Sequence, residues 1–397
     1  MILDGVSRLI LVFASRLRAL QARGLTFSWK LPSKAEVLIW DSVGSGWLLE
    51  VLGSPSVEIL RVRNHPICLH PKIVAESILG MITRTDTHYG VIIRNVAPKI
   101  VITFIHNDLR FHRLSNQIPK VRFVAIQNGV LNPASTDRGL NIGAPANYNS
   151  EFLCWGQRDT DTLRTLGLSF KAVTAVGSLK DAVFISREKS TGGSTVGNPK
   201  LDVVLISQFR MELLLPNPEE VLREYEQIVT FLQNFLTSRD HVRIGIALIT
   251  GTMDANHVEE LRFHQRILGD LPLMVPGSED GLASYRLTQG AEVVLSASSA
   301  LGLESLGRGR KTLMTSGQFF ETNLTTAGGA NWWLGKPTQE SFDAQLEALL
   351  SIGREDFVRA NASSSSYFIR SNNPEPLAEI FKTIWGHPQQ KNPDQNH

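Results

Sequence analysis

The run VVLSASSALGLESLGRGRKTLM, residues 293–314, holds a strand, a turn, a short helix and a second strand. Val293, Val294 and Leu295 are apolar without alternation, as a strand covered on both faces requires. Ser296, Ala297, Ser298 and Ser299 then stop it with residues small enough to let a ligand approach the backbone. Leu303 and Leu306 stand three apart and anchor a helix, for which Ser298 or Ser299 is the cap. Lys311–Met314 restarts the apolar pattern. Strand, helix and strand in that order make a βαβ unit of a parallel sheet.

The same grammar extends outward. Residues 35–41, 57–62, 99–105, 122–129, 151–156 and 172–178 read as buried strands, with helix-sized segments such as 66–90 and 107–117 between them. The polar, glycine-rich stretch SREKSTGGSTVGNPK (186–200) reads as a linker. After it the pattern begins again: strands at 201–209, 242–251 and 271–277, and helices at 217–238 and around 255–268. The predicted fold class is α/β, with two Rossmann-like doubly wound domains facing each other across a cleft. The expected layout is an N-terminal domain 1–185, the linker, a C-terminal domain 201–370, and a helix with a polar tail over 371–397.

Bulk properties narrow the function. At 397 residues the chain suits two domains of about 150–200 residues each. Forty basic and thirty-eight acidic residues leave a net charge of +2, so no global field attracts nucleic acid. Cys68 and Cys154 match no metal spacing, and reduced cytoplasmic thiols are the expectation. No apolar run reaches the ~18 residues of a membrane span. Residues 1–23 alternate arginines with apolar residues. They read as an amphipathic helix, packed on its own domain or lying on an anionic membrane surface.

In doubly wound sheets ligands bind outside the carboxyl ends of the strands. A helix N-terminus there offers N–H groups and a positive dipole end, which suits a phosphate. Glu304, one turn into the 300s helix, is placed to accept hydrogen bonds from ribose hydroxyls. The competing account is an i, i+4 surface pair with Arg308, worth only ~0.3–0.5 kcal/mol.

With Tyr285–Met314 in view, the segment resembles the nucleotide-binding segment of GT-B glycosyltransferases. The departures are Arg308–Lys311, where Gly-Lys-Pro is usual, and Ser305, where Ala is usual. The resemblance implies that Glu304 holds the donor ribose and that Ser298, Ser299 and Gly302 hold its phosphates. RFVAIQNGV (122–130), EFLCWGQRDTDTLRTLG (151–167), VTAVGSLKDA (173–182) and VVLISQFR (203–210) are similar to segments of bacterial surface-polysaccharide transferases.

Further candidates stand at other strand ends. Ser207, Gln208 and Arg210 follow the strand at 201–206; Arg210 suits a donor phosphate or a surface ion pair. Gly177 and Ser178 either bind phosphate or turn the chain. Gln127, Asn128 and Gly129 end a buried strand on the acceptor side, where Asn-Gly is also a favoured turn pair. Gly44 and Ser45 form a loop that can admit a sugar. Sugar transfer needs a base for the acceptor hydroxyl, and Asp41, His106 and Asp108 are the candidates. Asp159-Thr160-Asp161 opens a helix and reads as capping, so no metal site and no bound cofactor are expected.

The resemblance thus implies a metal-independent glycosyltransferase of bacterial cell-surface polysaccharide synthesis, taking a nucleotide-activated sugar and a glycan or lipid-linked acceptor. A CDP-polyol-type phosphotransferase, a UDP-sugar epimerase and a non-catalytic GT-B-like binding protein are the alternatives.

Overall fold

The computed structural model describes residues 27–53, 55–62, 67–83, 87–131, 146–190, 200–209, 218–315, 331–370 and 375–386. Two compact units emerge. The first comprises the described parts of Met1–Ile126, Pro145–Phe152 and Leu168–Val173. The second comprises those of Gln127–Ala144, Leu153–Gly167 and Thr174–His397.

In the first unit, β1 (Phe27–Ser28) pairs in parallel with β4 (Ile67–Cys68). The main sheet contains β2 (Val37–Ile39), β3 (Val57–Ile59), β5 (Ile100–Thr103), β6 (Arg122–Ile126), β7 (Ala146–Cys154) and β8 (Leu168–Ala175). Its six strands run in the order β3-β2-β5-β6-β7-β8. β2 is parallel to β3 and β5, and β5 to β6. Among the described residues four helices accompany it: α1 (Ser45–Leu52), α2 (Pro71–Thr83), α3 (His88–Val96) and α4 (Leu109–Gln117). Val37, Leu38, Ile39, Val101 and Ile102 are fully buried, which is why their sequence is apolar without alternation.

The second unit opens with α5 (Gln157–Thr165) and α6 (Leu179–Ser190). Its sheet is β9 (Leu201–Ile206), β10 (Ile244–Gly251), β11 (Leu273–Gly277), β12 (Ala291–Ser296) and β13 (Lys311–Met314). The five strands are parallel in the order β11-β10-β9-β12-β13. The helices α7 (Pro218–Thr237), α8 (His257–Leu268), α9 (Ala283–Gly290) and α10 (Ala300–Gly307) alternate with them. α11 (Gln339–Ser351), α12 (Arg354–Phe368) and α13 (Pro376–Trp385) follow. Val203, Leu205, Ile246, Val293 and Leu295 meet Val229, Leu232, Phe235, Phe342 and Leu346 in one apolar core. Each such side chain contributes roughly 1.5–3 kcal/mol by burial.

The segment expected as a linker from residue 186 is helical through Ser190. Glu188 pairs with Arg286 at 3.3 Å and Lys189 with Glu375 at 3.0 Å, so ion pairs fix a stretch that carries no apolar periodicity. Residues 191–199 and the basic N-terminal segment 1–23 lie outside the described residues. Thr174–Ser190 groups with the second unit, whereas the sequence boundary at 185 assigns most of it to the first domain. α6 packs on α13, whose Ile380 and Ile384 are buried. Among the described residues no helix is long and apolar enough to cross a membrane.

Candidate functional site

The strand order of the second unit reverses between β9 and β12, and the carboxyl ends of strands at such a switch point are where doubly wound sheets bind ligands. There Gln208 and Ser298 close a ring. The Gln208 Oε1 accepts from the Ser298 N–H at 2.7 Å, and its Nε2 donates to the Ser298 Oγ at 2.8 Å. The Ser299 N–H donates to Ser296 Oγ at 3.0 Å, and Ser299 Oγ caps α10 by accepting from the Leu301 N–H. Ser298 and Ser299 are half-buried, so the turn presents a shaped polar rim above a closed floor. A Cβ on Gly302 would stand 2.6 Å from the Met314 sulfur; the glycine lets α10 lie flat on β13.

Ser207 has a different employment. Its hydroxyl donates to Glu260, whose buried carboxylate also accepts from the Ile249 and Thr250 N–H groups at 3.0 Å and from the Thr250 hydroxyl. His264 supports this centre: its Nδ1–H donates to the Glu260 carbonyl at 2.9 Å, and its Nε2 accepts from the Tyr225 hydroxyl at 2.9 Å. Burial holds His264 below its usual pKa, which keeps it neutral for that pairing. Arg210 lies outside the described residues.

Glu304 is 1% exposed. Its Oε1 accepts from the Ser178 hydroxyl and its Oε2 from the Tyr285 hydroxyl at 2.7 Å. Arg308 does not pair with it on a surface. The guanidinium turns inward to Asp181, donates to Ser305 Oγ at 2.9 Å and lies over the Phe184 and Tyr285 rings. Burial pushes the Asp181 carboxyl up to about 6, against the opposing pull of Arg308 and with Glu304 adding to the rise. The neighbouring cations are committed too: Arg310 donates to the Ala291 carbonyl, and buried Lys311 pairs with Glu292 and donates to the Ile352 carbonyl at 2.9 Å.

Gly177 has φ +85° and its Cβ would stand 2.4 Å from the Arg370 carbonyl oxygen, so it accommodates a backbone crossing. Gln127 is buried as a brace: its Oε1 accepts from the Trp155 N–H at 3.1 Å and its Nε2 donates to the Gly129 carbonyl at 2.9 Å. Asn128 beside it is half-buried. Gly129 has open space where a Cβ would stand, so crowding does not demand glycine there. Asp159 reaches back to the Gly156 N–H at 3.3 Å, completing the cap of α5.

The first unit reverses its strand order between β2 and β5. Asp41 follows β2, buried, with Oδ1 accepting from the Val43 N–H at 2.8 Å. Gly44 has φ +74° and its Cβ would overlap the Phe104 ring, so the loop is glycine by necessity. The Ser45 hydroxyl donates to the Ser42 carbonyl at 2.9 Å.

His106 follows β5, half-buried, its ring edge-on to Phe152. Its carbonyl accepts from the Nε2–H of His112 at 2.7 Å, and His112 Nδ1 accepts from the Ser150 hydroxyl at 2.9 Å. Complete burial pushes His112 down to about 4, so it is a neutral brace. Asp108 caps α4, accepts from Trp40 Nε1 at 3.0 Å and pairs with Arg110 at 2.9 Å. Burial raises its carboxyl, but the Arg110 and Trp40 hydrogen bonds outweigh that and hold it below the usual range.

Sequence reasoning missed Tyr285, Asp181 and Glu260. Each is recognisable only through a partner distant in sequence.

No protein-family model and no curated protein sequence matches this chain. Solved structures do. UDP-GlcNAc 2-epimerase from Neisseria meningitidis bound to UDP-GlcNAc is 10% identical, with 88% of this chain and 99% of that chain covered and a TM-score of 0.53. The Methanocaldococcus jannaschii UDP-GlcNAc 2-epimerase in complex with UDP-GlcNAc and UDP is 11% identical over 88% and 98%, with a TM-score of 0.54. The S. aureus MnaA-UDP structure is 11% identical over 88% and 95%, with a TM-score of 0.52. At such identities the likeness is one of fold: two parallel-sheet Rossmann-like domains of the GT-B plan.

Proposed function

We propose that the chain is a nucleotide-sugar enzyme that moves a sugar from a nucleotide-activated donor to a glycan or lipid-linked acceptor, in the making of a bacterial cell-surface polysaccharide. The observation that carries this reading is the turn Ser296–Ser299, held by Gln208 at the switch point and opening into α10, with Glu304 one turn further on.

On this reading the donor phosphates meet the Ser298 and Ser299 rim and the positive end of α10. The two oxygens of a carboxyl group offer several acceptor positions, and among the described residues Glu304 uses two, from Ser178 and Tyr285. Because Glu304 is buried, a ribose hydroxyl reaches it by exchanging with Ser178. The helix end and Arg210 supply the positive charge that the leaving phosphate requires, with no metal called upon. Asp41, His106 and Asp108 supply the candidate base. The reaction belongs on the cytoplasmic face of the membrane, with residues 1–23 as the peripheral contact.

A second reading, epimerisation of a UDP-sugar, is favoured by one observation. The structures above a TM-score of 0.5 quoted for the fold carry UDP or UDP-GlcNAc, and two of them are named as UDP-GlcNAc 2-epimerases. Thermal unfolding against UDP, UMP, CMP, CDP and GDP tests both readings, since a ligand bound to the folded state raises the transition. NMR of UDP-GlcNAc incubated with the protein then separates them: an epimerase changes the sugar with no acceptor present, and a transferase waits for one. A protein that no nucleotide stabilises is neither, and the non-catalytic alternative takes their place.

A further inference from the structure

Beside the phosphate-holding turn the second unit contains a cavity of about 180 Å³. Its buried part is formed by Ile228 of α7, Ala297 of the turn and Thr315, the residue after β13; Pro337 adds to the apolar lining. Glu224 and Gln227 of α7 and Lys336 line it as well, the last two exposed. The far wall is fixed. The Met314 N–H donates to the Trp332 carbonyl at 2.7 Å and the Leu334 N–H to the Met314 carbonyl at 2.8 Å, so the segment leading to Lys336 lies along β13.

Two features mark the cavity as more than a packing defect. Thr315 is 4% exposed, and its hydroxyl has no hydrogen-bond partner among the described residues. Buried polar groups are ordinarily paired, and this one lines an opening that a polar ligand can fill. Lys336 has φ +50°, a left-handed conformation that a lysine rarely adopts. Such strain persists where the surroundings impose it.

Size and chemistry then name the occupant. A cavity of about 150 Å³ holds one six-membered ring, whereas drug-sized ligands need roughly 300–1,000 Å³. Apolar walls from Ile228, Ala297 and Pro337 suit the C–H face of a pyranose, and the Thr315 hydroxyl, the Gln227 amide and the two charged groups suit its hydroxyl edges. Among the described lining residues one carboxylate and one ammonium balance, which suits a neutral sugar over an acidic sugar or a polyol phosphate. We propose that this cavity is a monosaccharide subsite for a neutral pyranose, the sugar carried by the donor. The proposal rests on the nucleotide-sugar reading for its placement, since Ala297 lies between Ser296 and Ser298 of the phosphate turn.

The test is saturation-transfer NMR of the full chain with free glucose, N-acetylglucosamine, N-acetylneuraminate and glycerol 3-phosphate. The variants are Ala297→Leu, which fills the cavity, and Thr315→Val, which removes only the hydroxyl. The expected result is transfer to a neutral pyranose alone, weakened roughly tenfold or more in Ala297→Leu and less in Thr315→Val. Thr315→Val keeps shape and volume, so it decides the matter if the leucine variant does not fold.

Transfer to the acidic sugar or to glycerol phosphate instead, equal binding by both variants, or no transfer to any neutral pyranose overturns the subsite. UDP binding measured alongside keeps the two readings apart. A pyranose that binds where no nucleotide does leaves the cavity standing and removes the nucleotide-sugar reading; the reverse removes only the subsite.

Discussion

Glu304 lies buried with both carboxylate oxygens bound to hydroxyls inside the second unit. Truncation to alanine removes the acceptor for the Ser178 and Tyr285 hydroxyls, both in the interior of the second unit. A stranded buried donor costs about 1–3 kcal/mol, so the pair predicts roughly 2–5 kcal/mol of lost stability once some relaxation is allowed. For domains of this size each kcal/mol lowers the melting temperature by about 2–4 °C, giving a drop of roughly 4–20 °C. A surface pair with Arg308 would be worth only ~0.3–0.5 kcal/mol, a drop of about 1–2 °C.

Urea and thermal unfolding of the wild type, Glu304→Ala, Ser178→Ala and the double variant complete the cycle. The network predicts a coupling between the two sites of about 1 kcal/mol or more, because deleting either partner already strands the other. A melting point within about 2 °C of wild type, together with additive effects, would falsify the buried network. Glu304→Gln gives an intermediate result, since its amide oxygen can accept from one hydroxyl while the other turns to accept from the amide NH₂.

Other perturbations have signs that the structure fixes in advance. His112 has a folded pKa depressed to about 4, so its contribution is present above the unfolded value of 6.5 and is lost as pH falls through 4; His112→Gln flattens that acid-side slope in urea melts. Asp181 is raised to about 6, so its contribution has the opposite sense, present below 3.8 and lost as pH rises through 6; Asp181→Asn removes that dependence in melts at pH 5 and 7.5. Gly177→Ala meets both the Arg370 carbonyl and a left-handed φ and costs about 3 kcal/mol or more in a chemical melt. Gly129→Ala, with open space at its Cβ, stays within roughly 0.5 kcal/mol; a larger loss means that the glycine is needed for a reason other than crowding.

These contrasts mark what the sequence makes legible. Apolar runs without alternation identify β2, β5, β6, β9, β10 and β12, because burial on both faces favours apolar side chains. The Ser296–Ser299 turn and its cap are equally readable, being local hydrogen bonds between residues two or three apart. What stays hidden is pairing at long range. Ser178 and Glu304 are 126 residues apart, and Ser207 and Glu260 are 53 apart. No spacing rule links such positions. The glycines are legible as exceptional but not as to purpose: Gly302 stands at a strand–helix turn as a phosphate-binding glycine would, yet Met314 beneath it accounts for the missing side chain.

The base candidates in the first unit are separated by the same reasoning. A general base must hold its proton weakly enough to release it yet strongly enough to take one, which places the best pKa near the working pH. Asp108 is drawn the other way by Arg110 and Trp40, and its Oδ1 is occupied with the first turn of α4. It suits the task of holding Trp40 and Arg110 beside β2. Asp41 follows β2 and accepts from the Val43 N–H, which shapes the loop that contains Gly44. At His106 the neutral His112 fixes the backbone carbonyl, and Ser150 in turn fixes His112. A backbone held in this way fixes the point from which the imidazole projects. If a sugar hydroxyl is deprotonated by His106 at this strand end, its substitution should abolish turnover while leaving nucleotide binding intact. His112→Gln should lower kcat without eliminating it, by loosening the carbonyl that sets the ring's position. Equal loss of nucleotide affinity in both variants would mean that the histidine pair shapes the unit and does no chemistry.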